Sequence, residues 1–298
     1  MTPSRPPGAV LALAVCASLA VLASLPSSAS ASGPTPFERA QQRIPRVREA
    51  FAHHAAELAR AFRAAGAAWP PRALYLRALK FESQLELWAA PAPAPLPPAP
   101  PRPPGASTSP TPTPTARARP RDPALQPRVL VRTFPICAKS GGLGPKTRAG
   151  DRQVPEGFYL LDRFNHWSEH HLSLGISYPN AVDRARAREP GASPGGDIFI
   201  HGGCVTIGCL PIEDDPIEAL YVIAVIARGH GQRQLPVHVF PCRFDSDACA
   251  AARREAAPDK DIRALWHVLE EAYLRFEATH LPPSVRATAK GYVLAPAP

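Results

Sequence analysis

One short stretch concentrates the side chains that could carry out covalent or metal chemistry. Residues 201–215 read HGGCVTIGCLPIEDD, which places His201 ahead of Cys204 and Cys209 at H-x2-C-x4-C spacing. Groups this close in sequence could bind zinc, or the two cysteines could form a disulfide. Alternatively, one cysteine could be a nucleophile with the histidine as its general base.

The N-terminus has the pattern of a secretory signal. Arg5 precedes an apolar run over residues 9–25, and Pro26 is followed by SSASAS, with a small-residue cleavage pattern at residues 29–31. We therefore predict a signal peptide over residues 1–31 and a location in the periplasm or cell envelope. The apolar run is nearly long enough to span a bilayer, so an uncleaved membrane anchor is the alternative.

Zinc is the weakest of the three interpretations. A structural zinc site usually takes its ligands as two close pairs, and this sequence has no second pair at a suitable spacing. A disulfide between Cys204 and Cys209 is possible in an oxidising compartment. The chain has six cysteines, and removal of Cys16 with the signal leaves five, so at least one thiol stays free.

A nucleophile and its base would account for the odd cysteine. Cys209 follows Gly208 directly and comes shortly before a predicted helix, so a turn can present the sulfur. Backbone N–H groups in such a turn can lower the pKa of the thiol and stabilise an oxyanion. His201, at the end of a predicted strand, is then within reach as the general base.

The surrounding pattern predicts the elements that position these residues. Helical periodicity over 46–65 and 262–276 flanks a series of strand patterns, so we predict a mainly β or α+β fold. Residues 215–218 have the form of a capping box, which predicts a capped helix running to about Arg228. Residues 91–127 are rich in proline and are predicted to be a disordered insertion.

Charge and loop composition exclude two classes of function. The net charge of +9 comes from dispersed arginines without interleaved aromatic residues, so nucleic-acid binding is not indicated. The excess supports only a general attraction to an anionic envelope. GGLGPKT at residues 141–147 is not a phosphate loop, because Pro145 separates Gly144 from Lys146.

The motif and its neighbours resemble the catalytic domain of the YkuD-type L,D-transpeptidase family. The segment IFIHGGCVTIGCLPIEDDPIEALY follows the family order of a His-Gly pair, Ser/Thr-x-Gly-Cys and an acidic residue opening a helix, and GDRQVPEGFYLL matches an upstream strand. ICAKSGGLGPKTRAGDRQVPEGFY, HLSLGISYPN and the short His–Cys spacing are similar to the murein transpeptidase-like branch. The resemblance covers residues 73–240 and implies a β-sandwich core with a capped helix after the cysteine and N- and C-terminal packing helices.

The resemblance assigns the catalytic roles by position. Cys209 is implied to be the nucleophile and His201 its base. Gly202 would orient the imidazole through its carbonyl, and the N–H groups of Gly208 and Cys209 would form the oxyanion hole. Two family positions differ: Ile207 replaces a histidine and Pro211 replaces an arginine. The missing arginine leaves the identity of the acyl acceptor open.

The resemblance also places substrate-binding residues. Thr206 stands at the Ser/Thr position of the family, and His171 and Ser173 match a stretch of the same branch that would line the cleft. Lys146 is a candidate ligand for a substrate carboxylate, with a solvated charge as the alternative. Asp214, at the acidic position, is expected to cap the helix and fix the turn.

The implied cysteine pairing follows from the same resemblance. Cys242 would pair with Cys249, and Cys137 with Cys204, which leaves Cys209 free. The implied chain organisation is a signal peptide at 1–31, an N-terminal helical segment at 32–72, a catalytic domain at 73–245, and a C-terminal helix and tail at 246–298.

The activity implied by the resemblance is acyl transfer through a thioester at Cys209, with no metal or organic cofactor. The substrates would be peptidoglycan stem peptides containing diaminopimelate, and a wall-attached envelope protein is a possible second partner. Hydrolysis of diaminopimelate-linked bonds at the same site is one alternative. A non-catalytic module that binds peptidoglycan is the other.

Overall fold

The core of the protein is one mixed sheet of eight strands in the order β3-β2-β1-β8-β4-β5-β6-β7. The computed structural model describes residues 33–94, 122, 125–187, 192–256 and 258–296. The strands are β1 Tyr75–Leu79, β2 Gln84–Ala89, β3 Val129–Pro135, β4 Gly157–Asn165, β5 Ser173–Ile176, β6 Phe199–His201, β7 Leu210–Pro211 and β8 Leu235–Phe240.

Most neighbouring strands of the sheet are antiparallel, as short connections allow. β1 and β2 form an antiparallel pair, from Tyr75 opposite Trp88 to Leu79 opposite Gln84. Parallel pairs join β1 to β8 and β6 to β7. The second of these pairs is short, and it contains the predicted catalytic stretch.

Six helices accompany the sheet in the described residues. Both long amphipathic helices predicted from the sequence are present, as α2 and α6. α4 is buried along almost its whole length and packs against α2. The helices are α1 Pro36–Gln41, α2 Pro45–Ala64, α3 Ala181–Ala185, α4 Asp214–Gly229, α5 Asp247–Glu255 and α6 Lys260–Thr279.

The α+β class predicted from the sequence is confirmed, with three differences in detail. All eight core strands belong to one continuous sheet rather than to the two sheets of a β-sandwich. The helix after the motif begins at Asp214 with Glu213 at the N-cap, and no side chain caps it, so the predicted capping box is wrong. Its glutamate, Glu218, binds histidines instead. α5 and a C-terminal hairpin, β9 Val285–Thr288 and β10 Gly291–Leu294, were not predicted.

Some sequence predictions fall outside the described residues. These are the signal peptide and nearly all of the proline-rich insertion. The described residues from Pro34 onward form one compact unit. Among the helices that the structure describes, none is both long and apolar enough to cross a bilayer.

His238, on β8, makes the stability of this fold depend on acidity. It is buried among the rings of Tyr75, Phe158 and Phe240, and its Nδ1 lies 3.1 Å from the hydroxyl of Tyr75. Burial, with a smaller effect of the Arg77 charge, lowers its pKa to about 3. The unfolded chain therefore takes up a proton below about pH 6.5 that the folded chain does not, and stability falls as the pH falls.

We expect His238 to reduce the free energy of unfolding by about 2 kcal/mol between pH 6.5 and pH 5, from about 1.4 kcal/mol per pH unit. Urea unfolding at both pH values should therefore show a smaller acid loss in H238Q than in the parent. Because both proteins share every other titrating group, the difference isolates His238. An equal loss in the two proteins would contradict the prediction.

Candidate active site

His201 and Cys209 are brought together by the parallel pair of β6 and β7. Ile200 lies opposite Leu210 in this pair, so the histidine ends one strand where the cysteine precedes the next. Both side chains line one cleft, together with Trp167, His170 and other residues of the loop before β5. The structure therefore places the two predicted catalytic side chains in one cavity.

The cysteine pairing expected from the resemblance is present. Cys137 is bonded to Cys204 and Cys242 to Cys249, and Cys209 is the free cysteine of the described part of the chain. Cys204 is therefore neither a partner of Cys209 nor an available metal ligand. The first disulfide joins the segment after β3 to the loop that carries Cys209.

The orientation of His201 defines which ring nitrogen can act as a base. Its Nδ1 lies 2.5 Å from the carbonyl oxygen of Gly202, as the resemblance implied. Because a carbonyl only accepts hydrogen bonds, Nδ1 carries the proton in this contact and Nε2 has the free lone pair. The imidazole is almost fully buried, and the ring of His170 stacks on it at 4.7 Å between centroids.

The turn after His201 depends on a close backbone approach at Gly202. The Gly202 N–H donates to the carbonyls of His170 and Leu172, and a Cβ at this position would lie 2.4 Å from Oδ1 of Asp214. The same Oδ1 accepts from the N–H of Gly203 at 2.8 Å. Asp214 therefore holds the turn after the histidine, as expected. The expectation that it also caps its own helix is wrong.

Thr206 organises the turn that presents Cys209. Its Oγ1 accepts from the N–H groups of Gly208 at 3.1 Å and Cys209 at 2.8 Å, and it donates to the Cys209 carbonyl at 2.9 Å. The two N–H groups predicted to form the oxyanion hole are thus bonded to this hydroxyl. They can serve an oxyanion when the Thr206 side chain turns away from them.

Thr206→Val is expected to lower the free energy of unfolding by about 1–3 kcal/mol, because a methyl group leaves these N–H groups without their acceptor. Thr206→Ser keeps the hydroxyl and should stay close to the parent protein. Urea unfolding with intact disulfides measures both. Equal stability of the valine and serine variants would show that the hydroxyl does not support the turn.

The resting thiol and imidazole are both neutral near pH 7. Burial raises the pKa of Cys209 above its ordinary 9.0, against the opposite effect of the backbone N–H of Phe199. Burial also lowers the pKa of His201 below 6.5. The sequence predicted a lowered thiol pKa, and desolvation outweighs the nearby N–H group. Within the described residues, the thiol donates to the carbonyl of Asp197 at 3.7 Å and makes no hydrogen bond to His201.

Alkylation of Cys209 by iodoacetamide should therefore accelerate with pH beyond about pH 9, because only the thiolate reacts. Peptide mass spectrometry after timed alkylation from about pH 5 to about pH 10 gives this profile. The disulfide-bonded cysteines serve as internal controls because they stay unmodified. A rate that is already constant between pH 6 and pH 8 would instead indicate a preformed thiolate–imidazolium pair.

The predicted substrate-binding residues lie in different environments in the structure. Ser173 is buried beside His201 on the neighbouring strand and lines the cleft. His171 has a left-handed backbone, and its side chain contacts Glu218. It therefore does not line the cleft as predicted; the neighbouring His170 lines it instead. Lys146 is buried against Asp151 at 2.6 Å, so its charge organises the 146–153 loop and is neither solvated nor open to substrate.

Cys209 also lines a second cleft, whose other lining residues differ from those of the first. Glycine-rich residues 140–143 line it, with Phe81, Ile136 and Lys139. Lys80 holds this loop in place, because its Nζ donates to the carbonyls of Gly144 and Val154 and to Glu156. Sequence reasoning missed this cleft and the role of His170, since neither His170 nor Lys80 belongs to a recognisable spacing pattern.

Comparison with known proteins gives a relative in sequence. The chain is 34% identical over 167 residues to the Escherichia coli K12 protein named "Putative L,D-transpeptidase YafK", and equally to that of strain O157:H7. The match covers 55% of this chain and 64% of the relative. No family model matches the sequence.

Two solved structures share only weak likeness with the chain. The helical cell shape determining protein Pgp2 from Campylobacter jejuni is 16% identical with a TM-score of 0.37, over 57% of this chain and 48% of that one. Bdellovibrio bacteriovorus Bd1075 is 15% identical with a TM-score of 0.33, over 63% and 55% of the two chains. Scores this low do not establish a shared fold.

Proposed function

We propose that this chain, whose matched region is of the L,D-transpeptidase type, is a cysteine acyltransferase acting on peptidoglycan stem peptides through a thioester at Cys209. One observation carries the proposal. The free cysteine lines the same cleft as a histidine whose Nε2 lone pair is available, because Gly202 holds the proton on Nδ1. The identity to the relative spans 167 residues and agrees with this chemistry.

The acylation step uses both side chains. As Sγ of Cys209 attacks an amide carbonyl of the stem peptide, Nε2 of His201 takes the thiol proton. The tetrahedral oxyanion is stabilised by backbone donors of the 206–209 turn once Thr206 releases them. Collapse breaks the C–N bond, and His201 returns the proton to the leaving amine. A thioester remains on Cys209.

Resolution of the thioester requires a second nucleophile. The two clefts that meet at Cys209 provide separate approaches for a donor and an acceptor. An acceptor amine, deprotonated by His201, would complete transpeptidation or attach an envelope protein to the wall. Under this proposal the protein acts in the periplasm or cell envelope, where peptidoglycan lies.

Hydrolysis is the second candidate, and the structure of β7 favours it as an alternative. Pro211, which replaces the arginine of the commoner family motif, is buried in that strand and offers no charge to an acceptor. Water attacking the same thioester would release a trimmed peptide. In both cases the first half-reaction at Cys209 is the same.

Intact-protein and product mass spectrometry tests the proposal. The purified protein is incubated with diaminopimelate-containing tetrapeptide muropeptides, with Cys209→Ala as the control. An acyl adduct on the parent that the variant lacks supports the thioester; new dimers then identify transfer, and shortened monomers identify hydrolysis. The absence of both an adduct and products, together with binding to peptidoglycan, would instead indicate a non-catalytic module.

A further inference from the structure

Three imidazoles converge on one carboxylate at a position that the proposed chemistry does not use. Nδ1 of His53 lies 3.3 Å and Nε2 of His54 lies 3.2 Å from Oε2 of Glu218, while Nε2 of His171 lies 2.6 Å from Oε1. The two adjacent histidines belong to α2, Glu218 to the first turns of α4, and His171 to the loop before β5. We call these four residues the His–Glu cluster.

Two distances in the cluster, those from the His53 and His54 nitrogens to Oε2 of Glu218, match the edges of a tetrahedral zinc site. The ligand atoms of His53, His54 and Glu218 all lie within 4.8 Å of one another. With metal–nitrogen and metal–oxygen bonds of about 2.0–2.1 Å, tetrahedral geometry separates neighbouring ligand atoms by about 3.3–3.4 Å. Both histidine nitrogens already lie at nearly this distance from Oε2. The donor set of two imidazoles and a carboxylate is one that zinc accepts.

His171 completes the arrangement by holding the carboxylate. It contacts the other oxygen of Glu218, so it can donate an N–H to Oε1 and orient Oε2 toward the two α2 histidines. Ligand carboxylates are commonly fixed by such outer hydrogen bonds. Asp215 lies close by, with Oδ1 3.5 Å from Nε2 of His54, and its side chain is 88% exposed. It can supply the fourth ligand, or the position stays open to water.

The burial of the cluster is graded in a way that suits an ion entering from solvent. The His54 and Glu218 side chains are only 9% and 13% exposed, whereas that of His53 is 65% exposed. Two ligands are therefore preorganised by packing, and the third can admit the metal. Binding requires that the two α2 ring nitrogens facing Oε2 lose their protons, either to solvent or to the other nitrogen of each ring.

We propose that His53, His54 and Glu218 form a binding site for a divalent transition metal ion of the zinc class, with His171 as the residue that positions Glu218. This site is separate from the proposed catalytic cleft and does not depend on the proposed function. A metal there would tie α2 to α4 and, through His171, to the segment whose carbonyls at His170 and Leu172 accept from Gly202.

Zinc titration of the chelator-treated protein tests the site. All proteins carry Cys209→Ala, which removes the free thiol of the described residues as a competitor for the ion. Calorimetry should give about one zinc per chain, with a rise in Tm, and His53→Ala should weaken binding about tenfold or more. Glu218→Gln should do the same, and His171→Gln should cost about 10–100-fold through the outer hydrogen bond. His267→Ala, which removes an exposed histidine on α6, should change nothing.

Cobalt substitution gives an independent readout. Co²⁺ in the parent should produce visible absorption bands of a tetrahedral or five-coordinate nitrogen and oxygen site, and His53→Ala should lose them while retaining the parent circular dichroism. Because His53 is exposed, this variant should fold even where Glu218→Gln does not. No zinc binding by the parent would overturn the proposal. Binding that is unchanged in both His53→Ala and Glu218→Gln would overturn it too, because the ion would then lie elsewhere.

Discussion

Cys209→Ala is expected to lower kcat/KM on stem-peptide substrates by about 10⁴-fold or more, because no other described group can form the thioester. His201→Gln should have an effect of similar size, since the thiol is neutral at rest and needs a base to remove its proton. The double variant should be no worse than the poorer single variant, because the two groups act as one unit. Initial rates of muropeptide conversion measure all three.

The control for these variants is a cysteine change outside the cleft. Cys242 and Cys249 form a disulfide closed over seven positions of sequence, and both are fully buried away from the two clefts. Replacing both with alanine should reduce stability by up to about 2–4 kcal/mol and leave the rate per folded molecule unchanged. Retention of substantial turnover by Cys209→Ala would remove the thioester from the mechanism.

Glu86→Ala is expected to lower the free energy of unfolding by about 3–5 kcal/mol, because it leaves a buried guanidinium without its principal counter-ion. Nε of Arg77 donates to Oε2 of Glu86 at 2.7 Å, and both residues are almost inaccessible to solvent. Glu86 also accepts from Nε1 of Trp88 at 2.9 Å and from Arg243. Hydrogen bonds and the charge of Arg77 keep the pKa of Glu86 low in spite of burial, so the carboxylate stays ionised.

The position of this ion pair explains the size of the effect. Arg77 lies on β1, it also pairs with Glu277 of α6, and its guanidinium packs over the rings of Tyr273 and Phe276. It therefore joins the centre of the sheet to the C-terminal helix. Replacing both charges, as in Arg77→Met with Glu86→Leu, should recover much of the loss, since no unpaired charge then remains buried.

Urea unfolding with intact disulfides measures these effects, and Arg132→Ala is the matched control. Arg132 and Glu57 form an ion pair at 3.0 Å that is roughly one-third exposed on both sides. Its loss should cost less than about 1 kcal/mol. A similarly small loss for Glu86→Ala would mean that water or another cation replaces the missing carboxylate.

The sequence alone determined the features that depend on local pattern. Helical periodicity located α2 and α6, because an amphipathic helix buries one face wherever it packs. Short strand patterns located β1, β2 and β8, although almost every residue of these strands is buried. The motif of His201 and Cys209 carried the resemblance to the L,D-transpeptidase family. The odd number of cysteines required a free thiol, and the family resemblance identified which cysteine it is. The catalytic roles of both residues remain predictions.

Only the tertiary structure decided the environment of these side chains. The left-handed backbone of His171 turns it to Glu218 and leaves His170 to stack on His201, a reversal that spacing could not indicate. Lys146 was predicted to be a solvated charge or a ligand for a substrate carboxylate, and it is buried against Asp151 of its own loop.

The helix after the motif is another element whose contacts the sequence pattern did not predict. A capping box was a sound local pattern, yet Glu218 contacts histidines from α2 and the loop before β5, which are remote in sequence. The burial that raises the Cys209 pKa likewise arises from packed neighbours rather than from the turn itself. Sequence patterns report which residues are available for chemistry. Burial, partner and charge state depend on non-local packing, and these decide what the residues can do.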